Sequence, residues 1–297
     1  MVVAGSSRRM SRAWGGRIVG VVQARLASTR LPSKVLLPIQ GRPVLQWMLE
    51  RVRDAQELDE VVVATSDLPS DDPIRALCIE MGVPYLSGHP IDLLDRHQQV
   101  ARALDADAVV KIPSNCPLVD PRVIDAVVGC FRFHHPRYAF VSNLHPASWP
   151  DGNDVEVIRV DALVQAWREG ARPFEREHTT PFIWDRPERF SIGNVRRPGG
   201  RDLSGSHRLT LEYHEDYRLI EAVFEALHRP GLPPFSAEEI IDYLDTRPDL
   251  RSLNAQRLGT SWISHHLDEL RTLRRAPPAR SSTSSGRAGR TTTQTTR

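Results

Sequence analysis

Short, unbroken apolar runs alternate with segments of helical periodicity through the first half of this chain, and few architectures accept that pattern. Residues 17–22 (RIVGVV), 60–64 (EVVVA) and 108–112 (AVVKI) have almost no polar alternate positions, so each reads as a strand buried on both faces. Between them, residues 43–53 set Leu45, Met48, Leu49 and Val52 on one helical face behind an opening proline. Residues 72–82 repeat the pattern with Ile74, Leu77, Cys78 and Met81 inward and Gly82 as the stop. Further helices are expected over 91–104 and from Asp120-Pro121, where Val123, Ile124, Val127, Val128 and Phe131 share a face. Buried strands joined by such helices make a parallel sheet covered on both sides, an α/β fold. Ligands of these sheets sit beyond the carboxyl ends of the strands, which directs attention to loops 23–34, 65–72, 87–96 and 113–120.

The second half is less regular. Residues 138–142, 155–160 and 208–211 are strand-like, and helices are expected near 161–169, 215–228 and 236–245, the last with Ser236 and Glu239 spaced as a capping box. Residues 1–16 read as a flexible leader and 276–297 as a disordered Ser/Thr/Arg tail, leaving one domain over 17–270. The ends also hold the basic charge. Residues 1–17 carry four Arg and 271–297 seven, with no acid in either; taking these eleven from a formal net charge of +2 leaves −9 for 18–270. An acidic body argues against a nucleic-acid-binding core, which would carry the basic face itself. No apolar run approaches the ~18 residues that suggest a membrane span, and no signal-type apolar core follows the basic start. Cys78, Cys116 and Cys130 form no CxxC, so a cytoplasmic address is expected. The adjacent pairs His134-His135 and His265-His266 cannot both face one metal from a helix, which speaks against zinc. Only Lys34 and Lys111 are lysines among 39 basic residues, so each merits scrutiny.

Loop 23–34 reads QARLASTRLPSK. Arg25, Arg30 and Lys34 put three cations on one loop directly after a buried strand, with Ser28 and Thr29 between them. The cations balance charge while hydroxyls and free backbone N–H groups bond oxygens, so the set suits a polyphosphate. A solvated basic loop is the plainer alternative. Neither GxGxxG nor GxxxxGK[ST] occurs, which disfavours a dinucleotide fold and a P-loop ATPase.

From VVQARLASTRLPSKVLLPIQGRPVLQWMLERV onward, the chain resembles the bacterial CMP-sugar synthetase superfamily, and within it the spore-coat-polysaccharide type of cytidylyltransferase. The segments VVVATSDLPSDDPI, GHPIDLLDRHQQVARALDADAVVKI, NCPLVDPRVID, PDGNDVEVI, REHTTPFI and RLTLEYHEDYRLI follow in the family's order. The resemblance implies a nucleotide-diphospho-sugar transferase fold, Rossmann-like, with a mostly parallel mixed sheet and helices on both faces. It implies transfer of CMP from CTP to an acidic sugar or related small acceptor, with release of pyrophosphate. Arg25, Ser28, Arg30 and Lys34 would then hold the triphosphate, with Gln23 and Ala24 also binding the nucleotide, and Arg25, Arg30 and Lys34 acting as the catalytic cations that stabilise charge building on the phosphates. Gly88, Asp95 and Arg96 would lie beside the nucleoside, Gly88 allowing close backbone approach and Arg96 donating to base or ribose, with a helix-start salt bridge as the alternative; Thr65 and Ser66, at the end of a strand, are further candidates to border the base.

The resemblance also implies a magnesium ion held between two acids and the phosphates. Where the family has Asp in G-D-C-P-L, this chain has Asn115 in Ser114-Asn115-Cys116-Pro117-Leu118; where R-L-T-[hydrophobic]-D ends in Asp, it has Glu212. Asn115 would also lie against the nucleotide. Losing one carboxylate ~4 Å from a divalent ion forfeits several kcal/mol at an effective dielectric of ~20. Weaker metal binding, a shifted metal preference or lost catalysis is expected. Asp120, just before Pro121, is expected to cap a helix rather than replace the missing ligand. Asp154 and Glu156 alternate onto one strand face behind Asp151, and the resemblance places them beside the acceptor; an edge strand with solvated acids is the alternative. His178, in Arg176-Glu177-His178, is open to an acceptor contact, a dimer contact or a turn cap. A homodimer through the irregular, aromatic-rich segment 135–200 is implied as well. Two further readings stay open: a catalytically weak homologue that holds nucleotide without turnover, motivated by Asn115 and Ser114, and a nucleotidyltransferase preferring UTP or dTTP.

Overall fold

A computed structural model describes residues 14–273. Seven strands form one mixed sheet: β1 (Ile18–Gln23), β2 (Glu60–Ser66), β3 (Tyr85–Gly88), β4 (Ala108–Pro113), β5 (Phe140–Ser142), β6 (Glu156–Arg159) and β7 (Ile192–Asn194). Their spatial order is β3-β2-β1-β4-β6-β5-β7. The first four are parallel, β6 runs antiparallel to both β4 and β5, and β7 lies parallel to β5. The expected α/β architecture, mostly parallel with a mixed edge, is therefore present. Along β1, Ile18 and Val22 enter one core cluster while Val19 and Val21 enter the other. That two-sided burial is why the strand carries no polar alternation.

Helices α1 (Val44–Arg53), α2 (Asp72–Glu80) and α4 (Pro121–His134) cover one face; α3 (Leu93–Ala103), α5 (Val160–Glu169), α6 (Pro173–His178) and α7 (Pro181–Trp184) cover the other. A third cluster joins Trp47 of α1 to α8 (His214–Leu227) and α9 (Ala237–Asp245) through Leu219, Phe224, Ile240 and Leu244. The short helix α10 (Pro248–Ser252) follows. Local chemistry sets the helix starts. Asp92 accepts from Asp95 N at 2.9 Å, so α3 begins two residues later than its apolar period suggests. Asp120 caps α4 as expected, accepting from Arg122 N at 2.9 Å, and its other oxygen accepts from Ala237 N at 2.6 Å, which also ties down α9. The Ser236–Glu239 capping box is formed.

Two expectations need correction. Residues 208–211 are no strand of the sheet; only an isolated bridge joins Arg208 to Asp151. The backbones cross there too closely for a ladder, since Gly152 has φ +102° and a Cβ on it would lie 2.6 Å from the Leu209 carbonyl carbon. Strands β3 and β7, interrupted by Ser87, Gly88, Gly193 and Asn194, and helices α6 and α7, too short to show a period, were not anticipated. Of the aromatic residues in and near segment 135–200, which suit a core as well as an interface, Phe131, Phe140, Phe174, Phe182 and Trp184 are buried in the cores, whereas Phe133 is 63% exposed. Finally, the leader does not extend to residue 16: the Trp14 ring stacks on His135 at 4.0 Å, and Arg132 donates to the carbonyls of Trp14 and Gly16. Residues 1–13 and the tail from 276 lie outside the described residues.

Candidate active site

The parallel strands end level, Gln23 pairing with Ala64 on one side and Pro113 on the other. Beyond those ends opens a cleft of about 530 Å³. The loop after β1 forms one wall. Ala24 N donates to Ala64 O at 3.1 Å, Leu26 N to Asp71 Oδ1 at 2.8 Å and Ser33 N to Leu26 O at 3.2 Å, with Ser33 in the left-handed region at φ 52°. This compact turn brings Arg25, Ser28, Thr29, Arg30 and Lys34 onto the cleft. Arg25 donates to Pro90 O (3.2 Å) and Glu177 (3.3 Å), and Arg30 to Glu212 (2.9 Å). Lys34 Nζ donates to Leu211 O at 2.8 Å; burial lowers its pKa to about 8 against the opposing pull of Glu212.

Asn115 and Glu212 line the same cleft. Leu211 N donates to Asn115 O at 2.6 Å, and Asn115 Nδ2 donates to Thr210 Oγ1 at 2.8 Å, lacing the loop after β4 to the segment before α8. Asn115 Oδ1 accepts from the Cys116 thiol at 3.7 Å, a weak donor that leaves it lone pairs to offer. Glu212 shares its carboxylate between Arg30 and Arg208. Arg208 organises this region from within: its side chain is 1% exposed and reaches Asp216 at 2.9 Å, Asp151 at 3.1 Å and Glu212 at 3.4 Å.

Asp151, Asp154, Glu156 and Lys111 line the same cleft. Antiparallel pairing of β4 with β6 sets Lys111 opposite Glu156, and they form a buried ion pair. Thr180 Oγ1 donates to the other Glu156 oxygen at 2.7 Å. Burial raises the pKa of Asp154, helped by Glu156 and opposed by Lys111. Burial, with Asp154, also raises that of Asp151, against Arg208. Asn143 fixes the turn that carries them, accepting from Val155 N at 3.0 Å and donating to Asn153 O at 2.6 Å. Trp149 Nε1 and Asn153 Nδ2 are buried donors on the cleft wall without a partner among the described residues.

Of the residues singled out from the sequence, Gln23, Ala24, Arg25, Ser28, Arg30, Lys34, Arg96, Asn115, Asp154, Glu156, His178 and Glu212 all line this cleft. Gly88 and Asp95 do not, and neither do Thr65 and Ser66. A Cβ at Gly88 would lie 3.0 Å from Arg96 Cγ, so its smallness makes room for Arg96; Asp95 accepts from Trp167 Nε1 at 2.7 Å and holds α3 to α5. Arg96 is 1% exposed and donates to Ala64 O at 2.9 Å. Sequence reasoning passed over Glu177, Thr180 and residues 259–263 as cleft residues, and gave Lys111 no role although its rarity had marked it.

A sheet of this order, with a cationic loop after its first strand and carboxylates in the same cleft, has the organisation of a nucleotidyltransferase: the cations suit a polyphosphate, the carboxylates a hydroxyl-bearing acceptor. The chain belongs to the cytidylyltransferase family, whose model matches residues 19–227, and it is an enzyme, a CTP-dependent nucleotidyltransferase. It is 31% identical over 238 residues to the spore coat polysaccharide biosynthesis protein SpsF of Bacillus subtilis, covering 78% of this chain and 95% of that one. It is 36% identical over 169 residues to 3-deoxy-manno-octulosonate cytidylyltransferase of Zea mays, covering 54% of this chain and 55% of the relative. A solved cytidylyltransferase from Leptospira borgpetersenii superimposes with a TM-score of 0.75 at 28% identity, covering 80% of this chain and 97% of the other. No helix among the described residues is long and apolar enough to cross a membrane.

Proposed function

We propose that this protein transfers CMP from CTP to a hydroxyl of an acidic sugar, of the kind named in its maize relative, and that the product serves polysaccharide biosynthesis, as the name of its Bacillus relative suggests. The observation that carries the reading is the convergence of Arg25, Arg30 and Lys34 with Asn115 and Glu212 around one cleft that also holds Asp154, Glu156 and His178. In the reaction the acceptor oxygen bonds to the α-phosphorus as the bond to the β-phosphate oxygen breaks, and pyrophosphate leaves. Arg25, Arg30 and Lys34 hold the triphosphate and offset the charge gained by the departing pyrophosphate. Gln23, Ala24 and Ser28 line the cleft beside them, and Arg96, also on its wall, is the proposed nucleoside contact. Asp154 or Glu156 orients the acceptor hydroxyl. The proposed assembly is a homodimer, which a gel-filtration mass tests.

Magnesium is the proposed metal, held by Asn115 Oδ1 and Glu212. Their hard oxygen donors fit an ion that completes its shell with phosphate oxygens, while their single carboxylate gives it less protein charge than an acid pair would. When bound, the ion neutralises phosphate charge and supports the in-line geometry. The Asn115→Asp variant is accordingly expected to lower the magnesium concentration for half-maximal activity by about tenfold or more, since a carboxylate replaces a neutral oxygen. Pyrophosphate release from CTP with 3-deoxy-manno-octulosonate, titrated with magnesium, measures this. Metal-dependent release by the parent and a lower requirement in Asn115→Asp support the reading. Tight CTP binding with no release by the parent, restored in Asn115→Asp, would favour the catalytically weak homologue instead, a reading that the doubly paired Glu212 also motivates.

A further inference from the structure

The chain beyond the family match returns to the cleft. Asn254, 2% exposed, donates through Nδ2 to Arg208 O at 3.0 Å and to Asp216 at 2.9 Å, fixing one end of a strap. At the other end Leu270 is fully buried in the core, and the Asp185 carboxylate accepts from Arg271 N at 2.9 Å, Thr272 N at 2.8 Å and the Thr272 hydroxyl at 2.8 Å. Between these anchors, residues 259–263 line the cleft. The Trp262 ring lies on the His178 ring, with centroids 3.9 Å apart and planes 17° from parallel; Trp184 is 6.3 Å from Trp262, and His145 is 4.5 Å from Trp184.

The partner of that stack is held by a costly turn. Thr179 has φ 70° and ψ −52°, and Thr180 N donates to His178 O at 2.8 Å, a γ-turn of the strained sense with a β-branched residue at its centre. The turn sends the His178 ring to Trp262 and the Thr180 hydroxyl to Glu156. Burial keeps His178 uncharged, lowering its pKa to about 3, so the wall is aromatic and neutral. Thr180 links this wall to the Glu156 carboxylate, and Asp154 lines the same cleft. An apolar flat wall beside hydroxyl-binding acids matches a polyhydroxylated ring, which has C–H faces and O–H edges.

We infer that Trp262, carried on the strap 254–272, is an acceptor-selecting residue: with His178 it forms the wall against which the ring face of a cyclic sugar acceptor packs. The inference rests on the cytidylyltransferase reading above and adds that selection among acceptors depends on a segment outside the matched residues 19–227. The contact is assigned to the acceptor because the wall adjoins Thr180 and, through it, Glu156, one of the acids read above as orienting the acceptor hydroxyl.

The test uses the full chain with Trp262→Ala and Trp262→Phe, CTP, and two ring-forming sugar acids, 3-deoxy-manno-octulosonate and N-acetylneuraminate. Trp262→Ala is expected to raise the acceptor KM about 3- to 10-fold, the range of one aromatic contact, with the KM for CTP unchanged and Trp262→Phe close to the parent. An unchanged acceptor KM, or a rise in the CTP KM of equal size, overturns the inference. If the parent releases no pyrophosphate with either sugar, tryptophan emission is titrated with each sugar in the presence of CTP. A sugar-dependent change in the parent that Trp262→Phe abolishes supports the inference. CTP binding without such a change overturns it and leaves the nucleotide reading standing, whereas absent CTP binding removes both.

Discussion

Replacing Lys34 with methionine is expected to lower kcat/KM for CTP by about 10²–10³-fold, the usual loss when one preorganised charge stabiliser is removed from a buried site. Methionine keeps the apolar stem and deletes only the ammonium, which the protein has taken out of water beside Glu212 and the Leu211 carbonyl. Deleting a desolvated charge removes a folding cost, so the variant should retain its fold and the loss should fall on catalysis. Burial lowers the Lys34 pKa to about 8, and the sign of the pH effect follows. The working form is the protonated one, present below about 8; as pH rises through that value the charge is lost and kcat/KM for CTP declines. Lys34→Arg keeps its charge at every accessible pH, so its profile should lack that alkaline limb even if its rate is reduced. A parent profile flat to pH 10, or near-normal kcat/KM in Lys34→Met, would contradict a phosphate role for this residue.

The second large effect is on stability. Arg208→Leu should cost about 3–5 kcal/mol, because it leaves buried carboxylates without their cation. Asp216 is fully buried and has Arg208 as its guanidinium partner, while Asp151 already sits uneasily through burial and the nearby Asp154. The expected reading in urea is a lower midpoint at an unchanged m-value. Arg208→Leu combined with Asp216→Asn should recover part of the loss, since the amide keeps the shape and removes one orphaned charge. A midpoint for Arg208→Leu within about 0.5 kcal/mol of the parent, the range of ordinary surface substitutions, would remove Arg208 from its organising place.

What was legible in the sequence follows from burial on two sides. Strands such as β1 and β4 have no solvent face, so their apolar runs stand out, and the helices between them carry long enough periods to be read. Strands β3 (YLSG) and β7 (IGN) are interrupted by Ser, Gly and Asn, so they lack the apolar run that made the equally short β5 and β6 readable. Arg208–Leu211 has the composition of a strand, but its backbone crosses Gly152 and its arginine turns inward to acids, a tertiary arrangement that local pattern does not encode. In the site, loop 23–34 was readable because its cations and hydroxyls crowd a short stretch behind a strand. Lys111 was visible only as a rarity, since its meaning lies in the antiparallel register that sets Glu156 opposite it. Asp95 shows the opposite error: a motif position whose carboxylate is spent on Trp167. Trp262 was out of reach, because only the return of the chain after α10 brings it onto His178.

The most direct test of the central claim, that this cleft is a CTP site completed by a divalent ion, is calorimetric titration of the protein with CTP, UTP, ATP and GTP, each with and without magnesium. The account predicts binding of CTP in preference to the other three, strengthened by magnesium and lost in Lys34→Met. Equal binding of all four nucleotides, or none by CTP, would contradict it.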